Sequence, residues 1–201
     1  MIKAILFDFD GVLTTSKTGS EPIIKFISNK CNIPIEIVKE SYYKHNDSLL
    51  NGKITHQDIL SELSADIQHD IDYDILIQAF QNTRLDKNMI TLLKELKKSY
   101  LIAMVTDNKT DRIDTVLEFN NLSAYFDYVT ISARLHSRKD KPYIFEDVVK
   151  HLSVNPNECV FIDNTAENLV IPNQMGMKTI LFDDEGRDVT KFKNTLTEML
   201  S

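Results

Sequence analysis

Five short runs of apolar residues, Ala4 to Phe9, Leu101 to Thr106, Tyr128 to Ile131, Cys159 to Asp163 and Thr179 to Phe182, constrain this chain more than any other feature. Each is rich in β-branched or aromatic residues and gives way to polar ones, as strands do where they meet loops. The first, second and fourth lack polar alternation, which suits strands covered on both faces in a parallel sheet. Helical periods lie between them. Met89, Ile90, Leu93 and Leu96 make one apolar stripe behind an Asp86 cap, and Ile144, Phe145, Val148, Val149 and Leu152 make another. Strand and helix thus alternate after residue 86. The pattern predicts an α/β fold, a doubly wound, parallel, five-stranded Rossmann-like sheet whose ligands bind beyond the carboxyl ends of its strands.

The stretch 16–86 breaks the alternation. It carries helical stripes such as Ile23, Ile24, Phe26 and Ile27, and Thr55 with Asp58 three residues on predicts a capping box. Asn51-Gly52 marks a turn, with Asn46 to Ser48 extending the loop. Residues 1–15 and 87–201 are therefore expected to form the α/β core, and 16–86 a small helical cap inserted after the first strand. Val189, Phe192, Leu196 and Leu200 form the stripe of a closing helix.

Composition narrows the partners. A length of 201 residues fits one globular domain or a core carrying an insertion. The net charge of -7 argues against a nucleic-acid partner, because that binding mode needs clustered Lys and Arg. A small anionic substrate held by local positive groups or a metal remains compatible with it. Cys31 and Cys159 are far apart and lack ligand-like spacing, so neither a disulfide framework nor a zinc site is expected. No apolar run is long enough to span a bilayer, and the start of the chain turns acidic too soon for a signal peptide. The expectation is a cytoplasmic protein without a membrane partner.

Acids and their complements gather at the ends of the strand-like runs. The first closes with Asp8, then Phe9, Asp10 and Gly11, and a backbone turn at Gly11 would bring both carboxylates to one pocket. Asp-Gly alone equally marks a simple turn. The second run ends Thr106-Asp107-Asn108 and the fourth ends Asp163-Asn164, while the basic stretch Arg138-Lys139-Asp140-Lys141 precedes the intervening helix. Acids, a hydroxyl and a lysine thus converge on the edge where α/β proteins place ligands.

The order Asp8-Phe9-Asp10-Gly11-Val12-Leu13-Thr14, Thr106, Lys139, Asp163 resembles the haloacid dehalogenase-like superfamily over essentially the whole chain, with the insertion where its helical-cap branch places the cap. The resemblance implies a Mg²⁺-dependent phosphatase that hydrolyses a small phosphorylated metabolite through an aspartyl-phosphate. Asp8 would be the nucleophile and Asp10 the general acid and base. Thr106, Asp107 and Lys139 would hold the phosphate. Asp8, Asp163, Asn164 and the backbone carbonyl of Asp10 would hold the metal. Asp10 favours phosphoryl transfer over dehalogenation, since halide removal leaves no alkoxide to protonate.

Alternatives stay open beside this reading. Aligning Ile144-Phe145 with the family's Ile-Phe pair places Lys139 on its lysine, and Lys141 is the second candidate. Asn164 stands where many relatives carry a second acid, which removes a charge. Tyr42, Tyr43 and His45 could face substrate or serve as core and surface residues. A sugar phosphomutase would use the same Asp8 and Asp10, and a silent phosphate-binding protein would be expected to have lost one of the site residues. A receiver domain fits poorly, because its phosphoacceptor lies on a middle strand.

Overall fold

The computed structural model describes residues 1–200. All five expected strands form, as β1 (Ala4–Phe7), β2 (Leu101–Thr106), β3 (Tyr128–Ile131), β4 (Cys159–Asp163) and β5 (Lys178–Leu181). They make one parallel sheet of order β3-β2-β1-β4-β5. β1 lies at the centre. Its residues alternate between two apolar layers: Ala4 and Leu6 pack with Ile144, Phe145 and Val148, whereas Ile5 and Phe7 pack with Met89, Leu93, Ile113 and Val116. Burial on both faces is why the runs lack polar alternation.

Helices α1 (Ser20–Cys31), α2 (Ile35–Leu50), α3 (His56–Ile67) and α4 (Tyr73–Gln81) lie between β1 and β2. The Thr55–Asp58 capping box starts α3. The loop expected at Asn46 to Ser48 does not occur, because α2 continues through it. Val38, Tyr42 and Leu49 share one buried helical face, so the polar residues between them sit on the outer faces without breaking the helix. The turn comes at Gly52, whose φ of +66° suits glycine.

The chain then returns to the sheet through α5 (Lys87–Leu96), capped by Asp86, whose Oδ1 accepts from the backbone N–H groups of Asn88 and Met89 at 2.9 and 3.1 Å. Further helices are α6 (Thr110–Phe119), α7 (Ser132–Leu135), α8 (Tyr143–Leu152), α9 (Val170–Gln174) and α10 (Val189–Leu200). Within the insertion α1 packs on α2 and α4, and α4 packs on α6 of the sheet layer. Cys31 and Cys159 are free thiols. No helix of the described residues is long and apolar enough to cross a membrane.

The outgoing and returning segments run side by side. Thr15 N–H donates to Arg84 O at 3.0 Å, and Asp86 N–H to Leu13 O at 2.9 Å. Arg187, arriving from beyond β5, locks this crossing. It donates to Asp86 Oδ2 from Nε and Nη2 at 2.9 and 2.8 Å, to Gly11 O at 2.8 Å and to Val12 O at 3.1 Å. Charge-assisted bonds of this kind contribute about 1.5–3 kcal/mol each, and they are not additive. Arg187→Met is therefore expected to lower unfolding stability by about 2–3 kcal/mol, read as a lower urea midpoint at unchanged slope.

Candidate active site

The carboxyl end of β1 is built to turn. Asp8 N–H still bonds Ile162 O at 2.9 Å, as the ladder to β4 demands, but Gly11 adopts φ +78°, and Leu13 N–H folds back to Phe9 O at 2.8 Å. The turn brings Asp8 and Asp10 to the same cleft, as expected. Gly11 is required twice over, because a side chain there would also collide with the Asn164 amide.

The register of β1 with β4 pairs Phe7 with Ile162, so Asp8 and Asp163 emerge side by side. Lys139 Nζ sits between them, 3.0 Å from Asp8 Oδ2 and 2.6 Å from Asp163 Oδ2. All three are buried. Burial pushes the Asp8 carboxyl up, Lys139 pulls it down, and the neighbouring Asp163 charge pushes it up again, for a net rise. Burial alone would lower the Lys139 ammonium, but the Asp8, Asp163 and Asp107 carboxylates outweigh it and hold the lysine charged. Asp163 also accepts from Thr165 N–H at 2.8 Å and from Asn168 Nδ2 at 3.1 and 3.2 Å.

Asp10 is held from the other side. Arg112, fully buried on α6, grips it as a fork, Nη1 to Oδ2 and Nη2 to Oδ1, both at 2.8 Å. Asn108 Nδ2 adds a bond to Oδ2 at 2.7 Å. Asn108 also reaches Thr106 Oγ1 at 3.3 Å, and its backbone N–H bonds Ser132 Oγ at 2.9 Å, which ties the ends of β2 and β3 into the same network. Thr106 is buried at the end of β2 and lines the cleft.

The cleft measures about 300 Å³ and lies between the carboxyl edge of the sheet and the first two helices of the insertion. A larger depression of about 570 Å³ beside α1 contains none of these acids. Among the described residues no group of three or more His, Cys, Asp and Glu side chains gathers as a metal site. A cation at this edge would rest on Asp8, Asp163, carbonyl oxygens and water.

A family model described as haloacid dehalogenase-like hydrolase matches residues 2–175. The chain belongs to the haloacid dehalogenase-like hydrolases. Rat bifunctional epoxide hydrolase 2 is 25% identical over 91% of this hydrolase, which spans only 37% of the rat protein. Human N-acylneuraminate-9-phosphatase is 21% identical, over 83% of this chain and 75% of its own. The fold matches a haloacid dehalogenase-like family enzyme from Bacteroides thetaiotaomicron, solved with magnesium and inorganic phosphate, with a TM-score of 0.76 at 19% identity over 92% and 96% of the two chains.

The expected site residues of this hydrolase meet at one edge, with differences in detail. Lys139 enters the site, whereas Lys141 is exposed. Asp107 lines the cleft, but its carboxylate accepts from Lys139 N–H at 3.0 Å and Arg138 Nε at 3.2 Å, so it holds the lysine loop. Asn164 also lines the cleft, with Nδ2 donated to Asp184 Oδ2 at 2.9 Å. Tyr42 belongs to the core, its hydroxyl 2.8 Å from His56 Nε2, while Tyr43 reaches the cleft. His56, which carries no motif, is buried and bonded to Asp111 at 2.8 Å.

Sequence reasoning missed Arg112, Asn108, Asn168 and Lys109. Arg112 carried one usable signal: it shares the buried stripe of α6 with Ile113, Val116 and Leu117, where a charge needs a partner. Removing one member of a buried ion pair costs about 3–5 kcal/mol. Arg112→Met is expected to destabilise the protein by that order in chemical denaturation, and Lys141→Met to leave it unchanged.

Proposed function

We propose that this hydrolase is a Mg²⁺-dependent phosphatase acting on a small phosphorylated metabolite, with Asp8 as nucleophile, Asp10 as general acid and base, and residues 16–86 as a cap over the cleft. The observation that carries the reading is the Lys139 ammonium seated between Asp8 and Asp163 in a buried pocket, with a second aspartate, Asp10, fixed two residues from the first. The phosphatase named among the relatives and the Bacteroides enzyme solved with magnesium and phosphate support it.

The chemistry follows from the positions. An Asp8 oxygen attacks phosphorus, the bond from phosphorus to the ester oxygen breaks, and Asp10, once released from the Arg112 fork and protonated from solvent, delivers that proton to the departing alkoxide. Water then attacks the phosphoryl group carried by Asp8. Asp10 takes its proton, and inorganic phosphate leaves with Asp8 restored. Lys139 and Thr106 hold the phosphoryl oxygens on which negative charge gathers in the transition state. Asn108 and Arg112 keep the Asp10 carboxylate against the cleft wall.

The donor set fits magnesium. Asp8 and Asp163 are hard oxygen donors, and the other two cleft acids are engaged elsewhere, Asp10 by Arg112 and Asp107 by Arg138 and the Lys139 backbone, which leaves a pair that suits a cation binding one or two carboxylates and keeping several waters. The rise of the Asp8 carboxyl points the same way, since burial and the neighbouring Asp163 charge together outweigh the one ammonium that the two acids share. Mg²⁺, when bound, supplies the positive charge that offsets repulsion between the carboxylate nucleophile and a phosphate anion. Asp163 would hold it together with Asp8 and the carbonyl of Asp10, and Asn164 is its candidate neighbour.

The test is phosphate release from an aryl phosphate. Release is expected with Mg²⁺, abolished by EDTA and restored by excess Mg²⁺. Asp8→Asn should lower kcat by about 10³-fold or more, since it removes the nucleophile. Lys139→Met should lower it comparably, and Lys141→Met should not. Release that ignores both the chelator and Asp8 would sink the proposal.

A further inference from the structure

Lys109 immediately precedes α6 and lines the same cleft as Asp8, Thr106 and Lys139, yet it is only 3% exposed. Its ammonium makes one hydrogen bond, 2.8 Å to Ser20 Oγ, and sits 5.5 Å from the centre of the Tyr42 ring. No carboxylate among the described residues pairs with it. Every other cation lining the cleft has such a partner: Lys139 has Asp8 and Asp163, Arg138 has Asp107 and Asp47, and Lys17 has Asp184 at 3.9 Å. Burial, reinforced by the nearby Arg112 charge, pulls the Lys109 pKa down to about 7.

Charging a buried lysine that no carboxylate contacts is costly, and the ammonium has three donors of which one is used here. An apolar side chain would fill the same space and pack against Tyr42 without that cost. The arrangement is accounted for if the missing partner arrives with the ligand. The remaining lining is polar apart from Tyr43 and Leu50, so the cleft suits a small hydrophilic molecule.

We infer that Lys109, steadied by Ser20, is a subsite for a second anionic group of the substrate, a carboxylate or a second phosphate, at the end remote from the phosphoryl group removed. The subsite rests on the phosphatase reading for the position of the first phosphate. Its shared chemistry is an anionic oxygen cluster accepting N–H donors from a desolvated ammonium, a pairing that such a setting strengthens.

The experiment measures binding, so that it does not depend on turnover. Asp8→Asn protein with Mg²⁺ is titrated calorimetrically with matched esters that differ only at the remote end: glycerol 3-phosphate against 3-phosphoglycerate, and glucitol 6-phosphate against 6-phosphogluconate. Propane-1,3-diol bisphosphate and glucitol 1,6-bisphosphate form the second arm. At least one anionic ester is expected to bind ten-fold or more tightly than its neutral partner. That ratio should fall to within about three-fold when Lys109→Met or Lys109→Gln is added. Preference for the carboxylates or for the bisphosphates identifies the source of the second charge.

Equal binding of neutral and anionic esters, or a preference that survives both Lys109 variants, overturns the subsite. Circular dichroism of the Lys109 variants separates a lost contact from a lost fold, and Gln keeps a donor for Ser20 without the charge. Failure of the phosphatase reading would appear elsewhere, as absence of Mg²⁺-dependent aryl phosphate release by the unsubstituted protein, with the binding ratio still measurable.

Discussion

The Lys139 ammonium between two buried carboxylates is the interaction on which the rest of the structure depends. Two acids brought together away from water repel each other and lose hydration, so a single ammonium at 2.6 and 3.0 Å is the least that can hold them. The fold supplies each party separately. The β1–β4 register sets Asp8 beside Asp163, and the loop before α8 carries Lys139 to the same point, with its backbone fixed by Asp107. The second aspartate of the β1 turn is compensated independently by Arg112 from α6. Four segments distant in sequence thus meet because their charges need one another, and the hydrophobic layers on both faces of the sheet bring them within reach.

What could be read in the sequence was whatever leaves a periodic or ordered trace. Strands buried on both faces produce unbroken apolar runs, so the five strands and their parallel sheet were legible, as were the Asp86 cap and the Thr55–Asp58 box. The acids of the site were legible because they end those runs. Arg112, Asn108 and Lys109 escaped because their importance comes from long-range neighbours: Arg112 meets Asp10 across 102 positions, and Lys109 meets Ser20 across 89. Asn46 to Ser48 misled for the opposite reason. Their local preference for turns is weaker than the burial of Val38, Tyr42 and Leu49 on the same helix. Tyr42 and His56 likewise fill the core through a pairing that no short motif announces.

The insertion meets the sheet layer through polar as well as apolar contacts. Asp111 of α6 bonds both His56 and Tyr73, and Ser20 bonds Lys109. Gly19, just ahead of α1, lies so close to the Asp10–Arg112 pair that a β-carbon there would stand 2.5 Å from Arg112 Nη1 and 2.6 Å from Asp10 Oδ2. The backbone of the insertion is thereby packed directly against this ion pair, and the burial of both partners strengthens their attraction.

The order of strands across the sheet also says something about how a nascent chain must wait. β1 is made first and ends at the centre, flanked by β2 on one side and β4 on the other. Until Cys159–Asp163 has left the ribosome, one whole edge of an apolar strand has no ladder partner, and Asp8 has no Asp163 or Lys139 to share its charge with. An open edge of that kind is a template for pairing with another chain. The helices of the insertion, synthesised between β1 and β2, are local structures able to form early. They can therefore be complete before the sheet that carries them exists.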